Sequence, residues 1–263
     1  MRKNSLLALV LTLPLFLLAS CATAPRDTAY QTSTIDALLA GVYEGDLTCR
    51  SLMKHGDLGI GTFDSLDGEM LIVDGRLYQV KANGKVYTPS PSSLKTPFAT
   101  VCRFTPEDRF IIPAGATFTD IEKLINTKAP NQNLFQAIKI TGTFKTMHTR
   151  SVPRQTKPYP PLNQVTANQP EFHLSNITGT IVGFRCPAFV KGVNVPGYHL
   201  HFIDDAQTTG GHILGFEMLE GQAQIDTLHQ FTMRLPKNTS AFANTDLSKD
   251  RSTELRAVEK GTN

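Results

Sequence analysis

Tryptophan is absent from this 263-residue chain, cysteine occurs only four times, and neither sign of charge dominates, with 26 Lys and Arg against 23 Asp and Glu. A formal net charge of +3 cannot build a phosphate-binding face, because nucleic-acid affinity comes from many clustered cations that displace counterions. Nucleic acid is therefore not an expected partner. Cys49, Cys102 and Cys186 are odd in number and lack CxxC spacing, which excludes a fully paired disulfide scaffold and a cysteine zinc knuckle. They read as buried small hydrophobes with at most one bridge between them. There is no G-x-G-x-x-G or Walker-type loop and no obvious thiamine, pyridoxal or nicotinamide signature. Tandem repeats and low-complexity blocks are also missing. The composition, 40% hydrophobic and 19% charged, argues against disorder and a multi-pass membrane protein and leaves a globular chain with one large core or two smaller ones.

The amino terminus stands apart from the rest. In MRKNSLLALVLTLPLFLLASC, Arg2 and Lys3 precede an apolar run from Leu6 to Leu18 that is too short to span a bilayer comfortably. Residues 1–21 are expected to be an export signal. Its end, Leu18-Ala19-Ser20-Cys21, resembles a bacterial lipobox, in which the cysteine becomes the lipid-bearing first residue. The expectation is an exported protein anchored through lipidated Cys21 on the periplasmic side of a bacterial membrane or at the cell surface. Removing Arg2 and Lys3 leaves the mature chain close to neutral.

Residues 22–31 are small and polar and read as a tether. Residues 32–150 form an N-terminal β-rich half. Within it, Ser33 to Val42 carries a helix start signal, and short extended runs follow at 59–63, 69–73, 76–80 and 85–87, separated by Asp74-Gly75 and Asn83-Gly84 turns. Thr119 to Asn126 reads as a helix and 133–144 as a strand. Residues 151–170 hold Pro153, Pro158, Pro160, Pro161 and Pro170 and predict a long irregular connection. Residues 171–263 form the C-terminal half, with strands near 179–185, 198–203, 212–219, 222–228 and 231–235 and a charged tail, 246–260, ending in a short helix. The expected class is α+β, β-dominated, in two β-sheet halves with few helices.

The stretch most informative about chemistry is Gly197-Tyr-His199-Leu-His201-Phe-Ile-Asp204-Asp205, followed by Gly210-Gly211-His212. Side chains two apart in a strand share a face, so His199 and His201 project together while Leu200 and Phe202 point the other way. A turn rich in Asp, Thr and Gly returns the chain, and His212 begins the adjacent strand. Three imidazoles on one β-hairpin can thus hold a divalent transition metal with positions left open to substrate. The plainer alternative is three separate histidines. Asp204 and Asp205 suit either an imidazole-orienting role or the turn alone. Glu69, opening a strand after Leu66-Asp67-Gly68, and Arg150, leading into the proline-rich stretch, are weak signals taken singly. His55, His148, His173 and His229 are given no ligand role.

The runs GIGTFDSLDGEM (59–70), NLFQAIKITGTFKTMHTRSV (133–152), KPYPPL (157–162), GTIVGFRCP (179–187) and GYHLHFIDDAQTTGGH (197–212) resemble the α-acetolactate decarboxylase family, from about Tyr30 onward and in the family's order. The resemblance implies a zinc ion held by His199, His201 and His212, with Glu69 near or on the metal and Arg150 contacting substrate. It also implies a carboxylate near the carboxyl terminus that closes the site. Glu259 is the closer match by position and Glu254 the alternative. The implied reaction converts 2-acetolactate to (R)-acetoin and CO2, in acetoin and butanediol metabolism. An export signal is a departure, since many members lack one.

That chemistry suits those residues. Loss of CO2 from a 2-hydroxy-3-keto acid leaves an electron pair beside a ketone, so an electrophile at the ketone oxygen lowers the barrier without an organic electron sink. Arg150 can hold the departing carboxylate with a planar fork, and Glu69 or Glu259 can deliver the final proton. Two other readings remain open: a different zinc or iron lyase or oxygenase on a β scaffold, and a non-catalytic lipoprotein that binds a small ligand. The sequence leaves oligomeric state, including a homodimer, undetermined.

Overall fold

The structure, a computed structural model, describes residues 25–237 and 240–260, with the backbone alone for Ser240 and Lys260. The expected export signal and Cys21 lie outside the described residues. The chain begins with β1 (Thr28–Thr32), α1 (Ile35–Leu39), β2 (Leu47–Thr48), α2 (Cys49–Leu52), β3 (Leu58–Thr62), β4 (Glu69–Val73) and β5 (Arg76–Val80). Next come β6 (Val86–Tyr87), β7 (Lys95–Thr96), β8 (Ala99–Cys102), β9 (Asp108–Ile112), α3 (Phe118–Lys128) and β10 (Phe135–Arg150). The remainder is α4 (Leu162–Thr166), β11 (Glu171–Cys186), β12 (Gly197–Asp204), β13 (Gly210–Leu228), β14 (Gln230–Arg234), α5 (Ser240–Ala243) and α6 (Ser252–Lys260). Among these residues no helix is long and apolar enough to cross a membrane.

Seven strands form one sheet in the order β14-β1-β8-β3-β4-β5-β6. Its β4–β5 hairpin turns on Asp74 and Gly75, both at positive φ (50° and 74°), the backbone that a two-residue loop demands. In the second sheet β10 pairs with β11, β11 with β12, β12 with β13, and β13 back with β10, so the strands close into a ring, with β9 added along β13. Closing so few strands requires sharp bending, and β10 and β13 slip register near Phe144 and again at His148/Thr149. One face of this ring packs on α3 around Phe144, whose ring meets Phe202 and Phe216 edge-on at 5.3 and 5.6 Å. The opposite face sets Val182, Phe184 and Ile203 against Leu58, Ile60 and Leu71 of the seven-stranded sheet.

Phe144 is fully buried at the junction of two aromatic contacts. Phe144→Ala is expected to destabilise the protein by about 3–5 kcal/mol in urea unfolding. A loss below about 1 kcal/mol would show that the ring core collapses freely around the gap.

The strands at 69–73 and 76–80 form as expected. Five readings need correction. The tether 22–31 is not a tether throughout, because Thr28 to Gln31 lie in β1, buried between β8 and parallel β14. Its short polar sequence gives no local sign of a strand whose partners lie about seventy and two hundred residues away. The division at 151–170 does not separate the sheets either: β9 and β10, which precede it, belong to the second sheet, and β14, which follows it, belongs to the seven-stranded sheet. Long-range pairing that buries both sheets' inner faces overrides chain order here. The runs at 212–219 and 222–228 are one continuous strand, and 151–170 contains the short helix α4. Finally, the helix expected over Thr119 to Asn126 runs from Phe118 to Lys128 and is capped by Thr117, which forms a capping box with Asp120.

Candidate metal centre

Alternation along β12 sorts its side chains between two environments. Leu200 and Phe202 enter the cluster against α3, while Ile203 joins the layer facing the seven-stranded sheet, on the side shared by His199 and His201. The β12–β13 turn is clamped by Asp204, whose carboxylate accepts from the Thr208 and Thr209 backbone N–H groups at 2.7 and 2.8 Å. Asp204 therefore shapes the turn, and Asp205 is exposed. The turn brings His212 directly opposite His201, and across the other edge of β13 His212 stands opposite Arg150. His201, His212 and Arg150 thus form one cross-strand row. Gly211 permits this approach: its φ is 138°, and a Cβ there would lie 2.4 Å from the Arg150 carbonyl oxygen.

The ligand atoms of His199, His201 and His212 lie within 4.8 Å of one another, and the Nε2 atoms of His199 and His201 are 3.2 Å apart. His201 Nδ1 is 3.0 Å from the Met70 carbonyl oxygen, to which only a protonated nitrogen can donate, so its Nε2 is left as a bare lone pair. Burial, then the Arg150 charge, pushes His199 down to about 3. His201 and His212 are likewise held well below the ordinary imidazole range, chiefly by burial. Three neutral imidazoles with convergent nitrogens form a donor set suited to a borderline divalent cation.

Two carboxylates and a guanidinium complete the group. Glu69 opens β4 and places Oε2 3.6 Å from His201 Nε2, while Oε1 accepts from the Val152 N–H at 3.3 Å. Glu259 comes from α6, with Oε2 3.7 Å from His212 Nε2. Leu255 and Val258, on the same helix face, anchor α6 against Ile35, Leu162 and Val165. Glu254 instead pairs with Arg251 at 2.9 Å, so Glu259 is the tail carboxylate at the cluster. Burial raises both Glu69 and Glu259 to about 7, offset in each case by Arg150. Arg150 is buried, and its Nη1 donates to Gln169 Oε1 at 2.8 Å.

Gln169 and the Met70 carbonyl escaped the sequence reading. Gln169 sits in the proline-rich connection, where only its polarity and the loop's length could have drawn notice. Gln169→Ala is expected to weaken the grip of Arg150 on a small carboxylate about tenfold, because the guanidinium loses the acceptor that anchors Nη1. An unchanged carboxylate affinity would show that packing alone orients Arg150.

Cys49, Cys102 and Cys186 are buried free thiols. A pocket of about 50 Å³ lies among Glu69, Arg150, His199, His212 and Glu259. A wider cleft of about 930 Å³, bordered by Tyr198, Leu200, Ile213 and Leu255, reaches His212 and Glu259 from the α3 side. The centre therefore has an approach from solvent and a narrow inner end, where the charged groups meet the apolar side chains of Ile35, Leu66, Phe98 and Val258.

These buried groups predict a pH dependence for the metal-free protein. Each imidazole contributes stability present above its unfolded value of 6.5 and lost as pH falls, because the unfolded chain takes up a proton that the native site refuses. Each glutamate contributes stability present below 4.5 and lost as pH rises through about 7. Between 4.5 and 6.5 three imidazoles outweigh two carboxylates, so the site's contribution rises with pH; beyond 6.5 only the carboxylates titrate and it falls. Urea unfolding of chelator-treated protein should show stability declining between pH 6.5 and 7, and Glu69→Gln with Glu259→Gln should flatten that decline. A decline unaltered in the double variant would assign it to other groups.

The arrangement has relatives. The alpha-acetolactate decarboxylase family profile matches residues 29–249. An alpha-acetolactate decarboxylase of Methanosarcina mazei is 47% identical over 234 residues, which cover 89% of this chain and 81% of that protein. One of Methylococcus capsulatus is 44% identical over 230 residues, 88% of each chain. The crystal structure of the alpha-acetolactate decarboxylase of Bacillus subtilis superposes with a TM-score of 0.86 at 40% identity, covering 89% of this chain and all of that one. With matches of this extent in both sequence and fold, the chain belongs to the α-acetolactate decarboxylase family of carboxy-lyases.

Proposed function

We propose that the protein converts 2-acetolactate and one proton to (R)-acetoin and CO2, using zinc held by His199, His201 and His212, as a step in acetoin and butanediol metabolism. The observation that carries the reading is the convergence of these imidazoles beside buried Arg150, with His201 oriented by the Met70 carbonyl. Zinc bound there would supply a Lewis acid for the hydroxyl and ketone oxygens of the substrate.

The chain's own groups do the rest. Arg150 binds the carboxylate with parallel N–H bonds and fixes the breaking carbon–carbon bond relative to the ketone. Its burial strengthens that grip by excluding water. Glu69 and Glu259 stand within 4 Å of different imidazoles, and one of them delivers the proton that sets the configuration of acetoin. Glu259 also borders the cleft through which substrate enters, so α6 both lines the entrance and contributes to the site.

The test is incubation of purified protein with racemic acetolactate, following CO2 and the enantiomers of acetoin. Activity should vanish on chelation and return with zinc. Turnover that survives both chelation and His199→Ala would exclude the proposed role of the metal. Glu259→Gln is expected to slow product formation, or alter the acetoin enantiomer ratio, without emptying the metal site; an unchanged rate and ratio would move the proton donor elsewhere.

We also propose that Cys21 is lipidated and tethers the exported protein, on the strength of the charged, apolar and small-residue segments preceding it. Cys21→Ser should shift the protein from the membrane fraction to the soluble fraction. A protein whose fractionation does not respond is not anchored through that residue.

A further inference from the structure

Among the described residues one other group of ligating side chains comes together: His148, Glu171 and His173, with ligand atoms within 4.8 Å of one another. The register between antiparallel β10 and β11 sets His148 directly opposite His173. Residues so paired share a face of the sheet, with Cβ atoms about 4.5–5.5 Å apart. Here the two rings stack with centroids 4.0 Å apart. Glu171 precedes His173 by two positions and so returns to the same face of β11, where its Oε2 lies 2.8 Å from His148 Nε2. Glu171 and His173 are exposed and His148 is half-buried, so an ion from solvent can reach all three.

We propose that His148, Glu171 and His173 form a second, exterior site for a divalent first-row transition ion of the imidazole-preferring kind, such as nickel, copper or zinc. Ligand type and spacing both argue for it. Two imidazoles with one carboxylate are a donor set that favours such ions over magnesium or calcium, which take oxygen. Two atoms each about 2.1 Å from one ion, at about 90°, stand about 3 Å apart, close to the separation between Glu171 and His148. The hydrogen bond there is replaced by coordination without gross movement. His148 binds through Nε2 in the tautomer that keeps its proton on Nδ1, and the His173 ring turns about its last torsion, which solvent leaves free.

The site is separate from the buried centre, whose imidazoles come from β12 and β13. It joins β10 to β11 two residues before Arg150, at the end of β10 where Arg150 pairs with Glu171. An ion held there would clip together the strand ends that carry Arg150, and would stabilise the folded state by mass action.

The test uses the untagged protein isolated with its tightly held ion in place, dialysed against rising free nickel, alongside His173→Ala and His148→Ala. Wild type is expected to take up one more nickel per chain than either variant, with affinity at least about tenfold higher for that equivalent. Nickel should also raise the thermal midpoint of wild type more than that of His173→Ala, while the basal activity of His173→Ala stays at the wild-type level. Equal uptake by wild type and either variant, or the lack of an additional equivalent in wild type, overturns the site.

Discussion

His201→Ala is expected to empty the buried centre and lower decarboxylation at least about a thousandfold, the two losses coming together. His201 is 1% exposed, and its ring is oriented from behind by the Met70 carbonyl. Truncation removes one of three nitrogens and leaves that main-chain acceptor without its donor. The remaining pair, His199 and His212, offers too few ligands to hold a divalent ion against competition from water. Metal analysis and activity should be measured on the same preparation, with circular dichroism to confirm the fold. A folded His201→Ala protein that retains both stoichiometric metal and turnover would sink the proposed site.

Arg150→Lys separates binding of the metal from use of the substrate. The variant is expected to keep its metal while kcat falls about a hundredfold or more, since lysine supplies a positive charge but not a planar fork. Arg150 is 3% exposed and spends Nη1 on Gln169, which leaves the rest of the guanidinium for substrate. An ammonium on a shorter reach cannot serve both partners. The contrast with Gln169→Ala is informative, because that change keeps the fork and removes only its anchor. Should Arg150→Lys instead lose its metal, Arg150 would belong to the scaffold that holds β13 in place, as its pairing opposite His212 allows.

Much of the local architecture is legible because it rests on short-range rules. Asp74-Gly75 announces a tight turn since both positions require positive φ, and the hairpin forms there. The His-Leu-His-Phe alternation separates a polar face from an apolar one, and β12 divides along that line. The strand at Thr28 was missed because its burial depends on β8 and β14, neither of which is near in sequence. The same cause hides Gln169, whose importance comes from a contact with Arg150 across the end of a loop. Glu69 and Glu259 are individually unremarkable in sequence, and family resemblance rather than spacing singled them out.

Residue order by itself determined the β-dominated character, the hairpin that carries His199, His201 and His212, and the membership of a family whose motifs run through most of the chain. These follow from periodicity, turn chemistry and direct matching, which act over a few residues at a time. Only the tertiary structure decided that β4, β10 and α6 deliver Glu69, Arg150 and Glu259 to the same place, and that Glu259 rather than Glu254 arrives there. Ring closure through β10 and β13 and the docking of α6 on a distant apolar cluster set those approaches. The shared cause is burial between elements far apart in the chain, which also excludes water from the imidazoles and carboxylates and moves their protonation.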